Sequence, residues 1–500
     1  AAWLCVASMA RAADPPKLAV VLVVDQMRAD YAERFQNDWT SGLKKLTTEG
    51  AWFRRAAYPY LDTLTCAGHA TISTGAYPLR HGVFANAWFD RERNAIVTCT
   101  NDPKVSVVAY GAAGSGAQDS PATLKLPTFA DEMRRQKGAR TVSLSLKARS
   151  AIMLAGHTSD AAAWLSESLT GWETSTAYTT TPVAAVKAFV DANPIEADFG
   201  KSWTLSQAAN KYHGPDAGIG EAPPAGWTAT FPHPLRGQGT SPDRLFYAQW
   251  ERSPYADAYL GRMAAGMVEA MQLGKHDGTD VLTVSFSSPD LVGHAFGPRS
   301  VEVEDMYLNL DRTIGLLFDA LDRLVGPGQW VAGLSADHGV TDIPEQLIAG
   351  GKPGGRLDYQ GIVDAVNATM VKQGIQGQTI VRAVSNDIYL RAGLIDELAR
   401  KPSALNAVLK AAQSQPGIER AFSATQLAQA SSATAKDALL RAAALSYVPG
   451  RSGDIILAPK AGWMIGSSGT THGSANDDDQ RVPLMFYGAG IKPGRYNDPA

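Results

Sequence analysis

The sequence predicts an α/β fold with a mostly parallel central sheet that is flanked by helices. The first observation is a set of apolar, β-branched runs, which are typical of strands buried on both faces of a parallel sheet. These runs are residues 17–24, 141–146, 280–286, 330–334 and 482–487. The second observation is that segments with apolar residues at helical spacing, such as 301–324, separate the runs. Strands that alternate with helices indicate a parallel sheet, whose ligands collect at the carboxyl ends of the strands.

The composition describes a folded chain with a large core. The 500 residues are 45% hydrophobic and 19% charged, and the formal net charge is −3. This length allows one large α/β domain with insertions. Because basic residues are not in excess, we expect no nucleic-acid partner. Since no run of about 18 consecutive apolar residues occurs, we expect no membrane span. The composition carries no information on the oligomeric state.

Residues 1–13 resemble the end of a secretory signal peptide, because an apolar run ends in a small-x-small triplet at 10–12. The alternative is a short apolar helix. We therefore expect an exported protein, either periplasmic or extracellular. With Cys5 in the signal peptide, Cys66 and Cys99 remain as a pair that can form a disulfide in an oxidising compartment. Their spacing says nothing about geometry, so this disulfide stays open at the level of sequence.

The remaining residues, 14–500, are predicted to form the α/β domain with two insertions. Residues from about 165 to 245 are rich in Thr, Pro, Gly and aromatic side chains and have no clear period, so we interpret them as a cap-like insertion. Residues 341 to about 470 contain strand-like runs at 380–390 and 454–459 around a helical segment. This pattern predicts a small α+β insertion that packs beside the central sheet.

Thr65 is the first candidate for chemistry. It is followed by small residues and then by a helical pattern, in the segment 63–75. This arrangement places Thr65 near the N-terminus of a helix, where free backbone N–H groups and the helix dipole favour an anion. The alternative is that Thr65 serves only as an N-cap, and the segment alone does not decide between the two.

Six acidic and imidazole side chains at predicted strand ends or in loops form a candidate metal site. They are Asp25, Asp290, His294, Asp337, His338 and His472. Asp290 and His294 are four residues apart, one turn of a helix, which suits a shared cation. Taken singly, each histidine is more often a structural or surface residue than a ligand. Together with Thr65, the set offers two groups of nitrogen and oxygen ligands of the kind that Zn²⁺ accepts. Two such metals can clamp the attacking and leaving oxygens of a displacement at phosphorus.

Three further side chains suit a phosphoryl group. Lys147 and Arg149 are two residues apart just beyond a predicted strand, so both can point into one pocket as a pair of cations. Asn86, in the loop at 81–89, can donate a hydrogen bond to the same oxygens. The alternative for Lys147 and Arg149 is a solvated surface pair.

The motifs stand in one order along nearly the whole chain. They are VDQMR at 24–28, TCAGHA at 65–70, Asn86, KAR at 147–149, SPDxxGH at 288–294, ADHG at 336–339 and THG at 471–473. In this combination the sequence resembles the alkaline phosphatase superfamily, and more closely its bacterial threonine-nucleophile branch, the PhoK/PafA-type alkaline phosphatases. That branch is related to the nucleotide pyrophosphatases/phosphodiesterases. Enzymes of this branch usually continue past the last strand, whereas this sequence ends at Ala500.

The resemblance implies an alkaline phosphatase fold and two Zn²⁺ per chain. One zinc would be held by Asp25, Thr65, Asp337 and His338, and the other by Asp290, His294 and His472. Thr65 would be the nucleophile that forms a phosphothreonine, and Asn86, Lys147 and Arg149 would hold the phosphoryl oxygens. The implied activity is hydrolysis of small-molecule phosphate monoesters with broad specificity, which releases inorganic phosphate.

Other functions remain as alternatives at this stage. The main one is a phosphodiesterase or nucleotide pyrophosphatase on the same two metals, although Lys147 and Arg149 favour the more highly charged monoester. A sulfatase is excluded, because Cys66 is not followed by the Pro and Arg of the sulfatase nucleophile motif. A non-catalytic binding protein would be expected to have lost Thr65 or some of the ligands. An additional structural cation at the acidic run 476–479 is open, but a solvated loop is the favoured interpretation.

Overall fold

The computed structural model describes residues 14–111, 116–169, 171–430 and 436–500. The predicted signal-peptide segment 1–13, with Cys5, lies outside the described residues. The strands of the described chain are β1 Leu18–Val24, β2 Ala51–Arg55, β3 Ala87–Asp90, β4 Ala95–Thr98, β5 Val107–Ala109, β6 Thr141–Ser145, β7 Ala161–Leu165, β8 Trp172–Ser175, β9 Ser202–Trp203, β10 His233–Pro234, β11 Asp280–Phe286, β12 Trp330–Ser335, β13 Gly355–Arg356, β14 Ile380–Val384, β15 Asp387–Leu390, β16 Ile418–Ser423, β17 Ile455–Pro459, β18 Trp463–Met464, β19 Leu484–Gly488 and β20 Gly494–Pro499.

The helices alternate with these strands along the chain. They are α1 Ala29–Phe35, α2 Gly42–Thr48, α3 Thr65–Thr74, α4 Pro78–His81, α5 Phe129–Lys137, α6 Ala148–Ala155, α7 Ala184–Ala192, α8 Arg244–Glu251, α9 Pro254–Ala270, α10 Ser288–Phe296, α11 Val301–Leu324, α12 Pro344–Ala349, α13 Tyr359–Lys372, α14 Leu394–Ala399, α15 Pro402–Gln413, α16 Ala424–Gln429, α17 Ala438–Ser446 and α18 Asp477–Gln480. Among the described helices, none is both long and apolar enough to cross a membrane.

The central sheet has ten strands in the order β20-β2-β19-β12-β1-β11-β6-β7-β8-β5. Its middle, from β12 to β7, is entirely parallel. Strands β6 and β11 are buried along their whole length and β1 along most of it, which is why their sequences do not alternate between apolar and charged residues. The prediction of an α/β fold on a mostly parallel sheet is confirmed.

The register of these strands brings their carboxyl ends to one edge. Val24 of β1 pairs with Phe286 of β11, and Val23 pairs with Ser335 of β12. Ser285 of β11 in turn pairs with Ser145 of β6. The residues that follow these four strands therefore meet at one place, and they include most of the candidate site residues.

The borders of the sheet differ from a purely parallel arrangement. Strand β19, which covers the predicted run 482–487, lies antiparallel to both β12 and β2. Strand β8 is antiparallel to β7 and to β5, so the start of the segment 165–245 contributes a strand to the central sheet. Within 341–470, a second sheet of four strands forms in the order β14-β15-β17-β16 and has its own hydrophobic core with α13 and α15.

Helix α11 begins and ends at the residues that the periodicity predicts. The hydroxyl oxygen of Ser300 accepts a hydrogen bond from the backbone N–H of Val303, which caps the helix. Glu304 lies in its first turn and Arg323 in its last, in agreement with the helix dipole. Its apolar face is buried against the main core beside α9 and α10, the helix that carries two of the candidate ligands.

Candidate active site

The first group of candidate metal ligands forms where β1 and β12 end. Asp25, Asp337 and His338 offer ligand atoms that all lie within 4.8 Å of one another, and all three side chains are fully buried. Oδ1 of Asp25 and Oδ2 of Asp337 are buried without a hydrogen-bond partner in the described structure. Burial and the nearby carboxylates of Asp290 and Asp337 raise the pKa of Asp25. A divalent cation would reduce the repulsion between the carboxylates and would give the two unpartnered oxygens a ligand bond, so this group fits a metal.

The second group lies beside it, on α10 and a loop. Asp290 and His294 are one turn apart, with 3.1 Å between Oδ1 and Nε2, and Nε2 of His472 is 3.7 Å from the same oxygen. Nδ1 of His294 is 2.8 Å from the carbonyl oxygen of Thr470, and Nδ1 of His472 is 2.8 Å from that of Thr63. Because a carbonyl can only accept, each Nδ1 carries a proton, and each Nε2 faces Asp290 as the nitrogen that could bind a metal.

The two groups are neighbours. The rings of His338 and His472 stack with 3.4 Å between their centroids. Burial lowers the pKa of His338, and burial together with the imidazoles of His338 and His294 lowers the pKa of His472 further. Both rings are therefore neutral at pH 7, the form in which histidine binds a metal. The predicted ligand set thus gathers in one place, in the two groups that the resemblance implies.

Thr65 lies in the first turn of α3, against the first group. Its Oγ1 is 3.4 Å from Nε2 of His338, and its side chain is buried. The helix begins at Thr65 and Leu64 takes the cap position, so the alternative that Thr65 serves only as an N-cap is wrong. Gly68 permits this position, because a Cβ there would lie 2.1 Å from the carbonyl oxygen of Asp337. The absence of a side chain at Gly68 thus lets α3, which carries Thr65, pack against the backbone of Asp337.

Lys147, Arg149 and Asn86 line one cavity of about 180 Å³. Nζ of Lys147 is 2.6 Å from Oδ2 of Asp25 and 2.5 Å from Oδ2 of Asp290, so it lies between the two ligand groups. With 7% of its surface exposed, Lys147 is not a solvated surface residue, and that alternative is wrong for it. Nε of Arg149 is also buried, and it has no hydrogen-bond partner among the described residues.

Two residues that carry no role in the sequence-based prediction also hold the site together. Nδ1 of His69 is 2.8 Å from the carbonyl oxygen of Thr65 and 3.3 Å from Oδ2 of Asp337, and its Nε2 is 2.8 Å from the hydroxyl of Ser285. Gln26 follows Asp25 and contacts carboxylates of both groups. His69 falls inside the TCAGHA motif and Gln26 inside VDQMR, but the φ of 68° at Gln26 is visible in no sequence pattern.

The disulfide that the cysteine count left open is present. Cys66, the second residue of α3, is joined to Cys99, which follows β4. Both cysteines are fully buried. The bond therefore ties the first turn of the Thr65 helix to the β3–β4 hairpin.

Comparison with known proteins agrees with this geometry. The family described as "Type I phosphodiesterase / nucleotide pyrophosphatase" matches residues 19–480. The chain belongs to this family. Within the type I phosphodiesterase / nucleotide pyrophosphatase family, it is 31% identical to alkaline phosphatase PhoV of Synechococcus elongatus, over 96% of this chain and 87% of that protein. It is 32% identical to alkaline phosphatase PafA of Elizabethkingia meningoseptica, over 97% of this chain and 89% of that protein.

Solved structures of this family extend the comparison to the fold. The crystal structure of wild-type PafA superposes with a TM-score of 0.86 at 31% identity, over 98% of this chain and 94% of that chain. Murine ectonucleotide pyrophosphatase/phosphodiesterase 5 shares the fold at 13% identity, with a TM-score of 0.51 over 96% of this chain and 91% of that chain. The predicted resemblance is therefore confirmed, and the chain is an enzyme of the alkaline phosphatase type.

Proposed function

We propose that this chain is a zinc-dependent alkaline phosphatase that hydrolyses small-molecule phosphate monoesters of broad specificity through a phosphothreonine. The observation that carries the proposal is the position of Thr65. Its hydroxyl lies in a helical first turn, 3.4 Å from Nε2 of His338 in the buried ligand group. The next residue, Cys66, is hydrogen-bonded to Asn86, which lines the cavity of Lys147 and Arg149. The nearness of a nucleophile, metal ligands and cations supports a site for a phosphoryl group.

In this proposal each of the two ligand groups binds one zinc. Asp25, Thr65, Asp337 and His338 would hold one zinc, and Asp290, His294 and His472 the other. These oxygen and neutral nitrogen donors are those that Zn²⁺ accepts. When bound, two such ions supply electrostatic stabilisation to the attacking and leaving oxygens of an in-line displacement at phosphorus.

The residues of the chain perform the remaining steps. The hydroxyl of Thr65 loses its proton to solvent, and Oγ1 attacks phosphorus. The bond from Oγ1 to phosphorus forms as the bond to the leaving oxygen breaks, and that oxygen takes a proton from solvent to leave as the alcohol. Water then hydrolyses the phosphothreonine, which restores Thr65 and releases inorganic phosphate. Throughout, Lys147 and Arg149 balance the charge of the phosphoryl oxygens, and Asn86 donates a hydrogen bond to one of them. The N-terminus of α3 adds a favourable dipole for the anion.

The family name also includes phosphodiesterases, which gives the second candidate. A diester exchanges one charged oxygen for an esterified one, so it gains less from two cations at the non-bridging oxygens. The cavity that Lys147 and Arg149 share therefore favours the monoester.

The experiment that tests the proposal compares p-nitrophenyl phosphate with bis-p-nitrophenyl phosphate. Each is assayed with the purified protein, after removal of metal by a chelator, and after zinc is restored. Turnover of the monoester that the chelator abolishes and zinc restores is the expected result. Preference for the diester would assign the chain to the phosphodiesterases, and no turnover of either would reject the proposal.

Export and the two insertions complete the proposal. The disulfide between Cys66 and Cys99 is of the kind that persists in oxidising compartments, which supports a periplasmic or extracellular enzyme. We assign residues 14–500 to one alkaline phosphatase-like domain with insertions at about 165–245 and 341–470. Limited proteolysis, which cuts exposed loops first, would test these borders.

A further inference from the structure

Both cysteines of the disulfide form a hydrogen bond with Asn86. The backbone N–H of Cys66 donates a hydrogen bond of 2.9 Å to the side-chain oxygen Oδ1 of Asn86. The backbone N–H of Cys99 donates a hydrogen bond of 2.9 Å to the carbonyl oxygen of the same asparagine. The side chain and the main chain of Asn86 are thus each bonded to one of two residues that are covalently joined to each other.

These contacts orient the carboxamide. Because the N–H of Cys66 is a donor, the atom that faces it is Oδ1, and the donor Nδ2 points away from the helix backbone. Asn86 lines the same cavity as Lys147 and Arg149. Since Oδ1 is bonded to Cys66, Nδ2 is the side-chain atom of Asn86 that could donate to a phosphoryl oxygen.

The hairpin that carries Asn86 has little packing of its own on the outer side. Asn86 directly precedes β3 and Cys99 directly follows β4, and Ala87 pairs with Thr98 at the base of this hairpin. Most of β4 is exposed, including Ile96 at 54%. Strand β3, by contrast, packs through Trp88 and Phe89 into the core cluster that also contains Cys66 and Ala70 of α3. The disulfide adds a covalent link between α3 and the base of the hairpin.

We propose that the Cys66–Cys99 disulfide is a positioning element for substrate recognition, which holds Nδ2 of Asn86 toward a non-bridging phosphoryl oxygen beside Thr65. This inference rests on the proposed function, because the phosphoryl group is the ligand that Asn86 is held to meet. Neither cysteine contacts the substrate in this proposal, and both act through Asn86.

A double-mutant cycle tests the proposal. The variants are Asn86→Ala, the pair Cys66→Ala with Cys99→Ala, and the triple variant, each loaded with zinc and assayed with p-nitrophenyl phosphate. We expect Asn86→Ala to lower kcat/KM by on the order of 100-fold, as for the loss of one donor to a developing charge. The cysteine pair should lower it by about tenfold, and the triple variant should lie within about twofold of Asn86→Ala, because the two changes act through one contact.

Arg149→Ala provides the matched control. Arg149 and Cys99 both line this cavity, but among the described residues no hydrogen bond joins Arg149 to Cys66 or Cys99 as one does Asn86. The loss of Arg149 and the loss of the disulfide should therefore multiply. If removal of the disulfide multiplies with Asn86→Ala as well, or if the cysteine pair retains full activity, the proposal is overturned. A merely structural disulfide would produce the first of these results, since a general loosening of the fold does not depend on the side chain at position 86.

A binding measurement separates this proposal from the proposed function. Titration calorimetry with inorganic phosphate reports on the phosphoryl site without turnover, and the same cycle should show the same non-additivity in the dissociation constant. If the wild-type protein binds phosphate but turns over no monoester, the proposed function is rejected. The double-mutant cycle in the phosphate dissociation constant then decides whether the disulfide positions Asn86. A wild-type protein that neither binds nor hydrolyses overturns both.

Folding is followed in parallel by circular dichroism and by the melting temperature. If the alanine pair does not fold, Cys66→Ser with Cys99→Ser replaces it, since serine keeps the size of the side chain. If neither pair folds, the disulfide is required for the fold itself and the positioning role is rejected.

Discussion

Nε2 of Gln26 donates a hydrogen bond to Oδ1 of Asp290 over 2.6 Å. The backbone N–H of the same glutamine donates to Oδ1 of Asp337 over 3.1 Å, so Gln26 connects the two groups of candidate ligands. The residue is buried and has a φ of 68°, a conformation that side chains other than glycine rarely adopt. Gly293 leaves room for it, because a Cβ there would lie 1.9 Å from Oε1 of Gln26. Gln26 therefore orients ligands of both groups at once.

Replacing Gln26 by glycine should weaken zinc binding. Glycine accepts a positive φ without strain, so Gln26→Gly removes the side-chain bond to Asp290 and keeps the backbone conformation. We expect a loss of about 10- to 100-fold in zinc affinity, the range typical of groups that orient metal ligands. Competition with a chromophoric chelator measures it, and Gln360→Gly, at an exposed position, is the control. An unchanged zinc affinity would show that Gln26 has no such role.

Loss of the Lys147 charge should destabilise the metal-free protein. Burial opposes the charge of Lys147, but the carboxylates of Asp25 and Asp290 outweigh burial and raise its pKa. In Lys147→Met these two buried carboxylates lose their cation, at a cost of about 3–5 kcal/mol in the free energy of unfolding. Added zinc should recover most of this loss, because it supplies positive charge to the same carboxylates. Urea unfolding with and without zinc measures both effects, and an equal loss in both conditions would contradict the explanation.

Lys147 and Arg149 should also set the preference for monoesters. We expect Lys147→Ala and Arg149→Ala each to lower kcat/KM for p-nitrophenyl phosphate by on the order of 100-fold, and that for the bis-p-nitrophenyl diester by about tenfold or less. The reason is that a diester presents one charged oxygen fewer to the two side chains. The ratio of the two kcat/KM values is the measurement. A ratio that stays at the wild-type value would remove the argument for monoester selectivity.

The covalent step depends on Thr65. Thr65→Ala should abolish the phosphoenzyme and leave the melting temperature nearly unchanged, because only a hydroxyl and a methyl group are lost from a helical position. Thr65→Ser keeps the hydroxyl and should retain a phosphorylated form. Acid quench after mixing with substrate, followed by mass spectrometry of the peptide that contains residue 65, detects the modification. A phosphorylated peptide elsewhere in Thr65→Ala would assign the nucleophile to another residue.

The sequence predicts that the three aspartates of the candidate ligand set lie close together, because each of them follows a strand. A run such as 280–286 is visible as a buried strand, and parallel strands carry the residues that follow them to one edge. Asp25, Asp290 and Asp337 follow strands of the parallel middle of the sheet, so their proximity follows from topology. Helix α11 is predicted to the residue, because its apolar period and its cap agree.

Features that depend on pairing direction or on a single backbone angle are not visible in the sequence. The run at 482–487 is apolar whether its strand is parallel or antiparallel, and the structure pairs β19 antiparallel with β12. Strand β8 has only four residues and lies in a segment that lacks periodicity. It forms by pairing with β7 and β5, and these pairings are not visible in its own sequence. The role of Gln26 depends on its left-handed φ, and the disulfide depends on the distance between Cys66 and Cys99, which spacing alone does not report.

A buried pair outside the site should make stability depend on pH. Oε1 of Glu302 is 3.0 Å from Nε2 of His233, and both side chains are buried. Burial raises the pKa of Glu302 to about 8 and lowers the pKa of His233 to about 4. In the unfolded chain these groups titrate near their ordinary values of about 4.3 and 6.5. Between about pH 6.5 and pH 8 only Glu302 binds more protons in the folded state, so its contribution to stability falls as the pH rises.

Glu302→Gln should remove this dependence. The amide keeps the size and polarity of the protonated acid and cannot ionise, so we expect the variant to gain stability over the wild type progressively from about pH 6.5 to about pH 8. His233, whose folded-state pKa lies under its unfolded value, gives the opposite slope below about pH 6.5 in both proteins, so its contribution cancels in the difference between them. Urea unfolding of both proteins at a series of pH values measures the difference. Glu92→Gln, at an exposed position, serves as the control. If the free energies of unfolding of Glu302→Gln and the wild type differ by a constant amount from about pH 6.5 to about pH 8, Glu302 is already ionised in the folded protein at neutral pH.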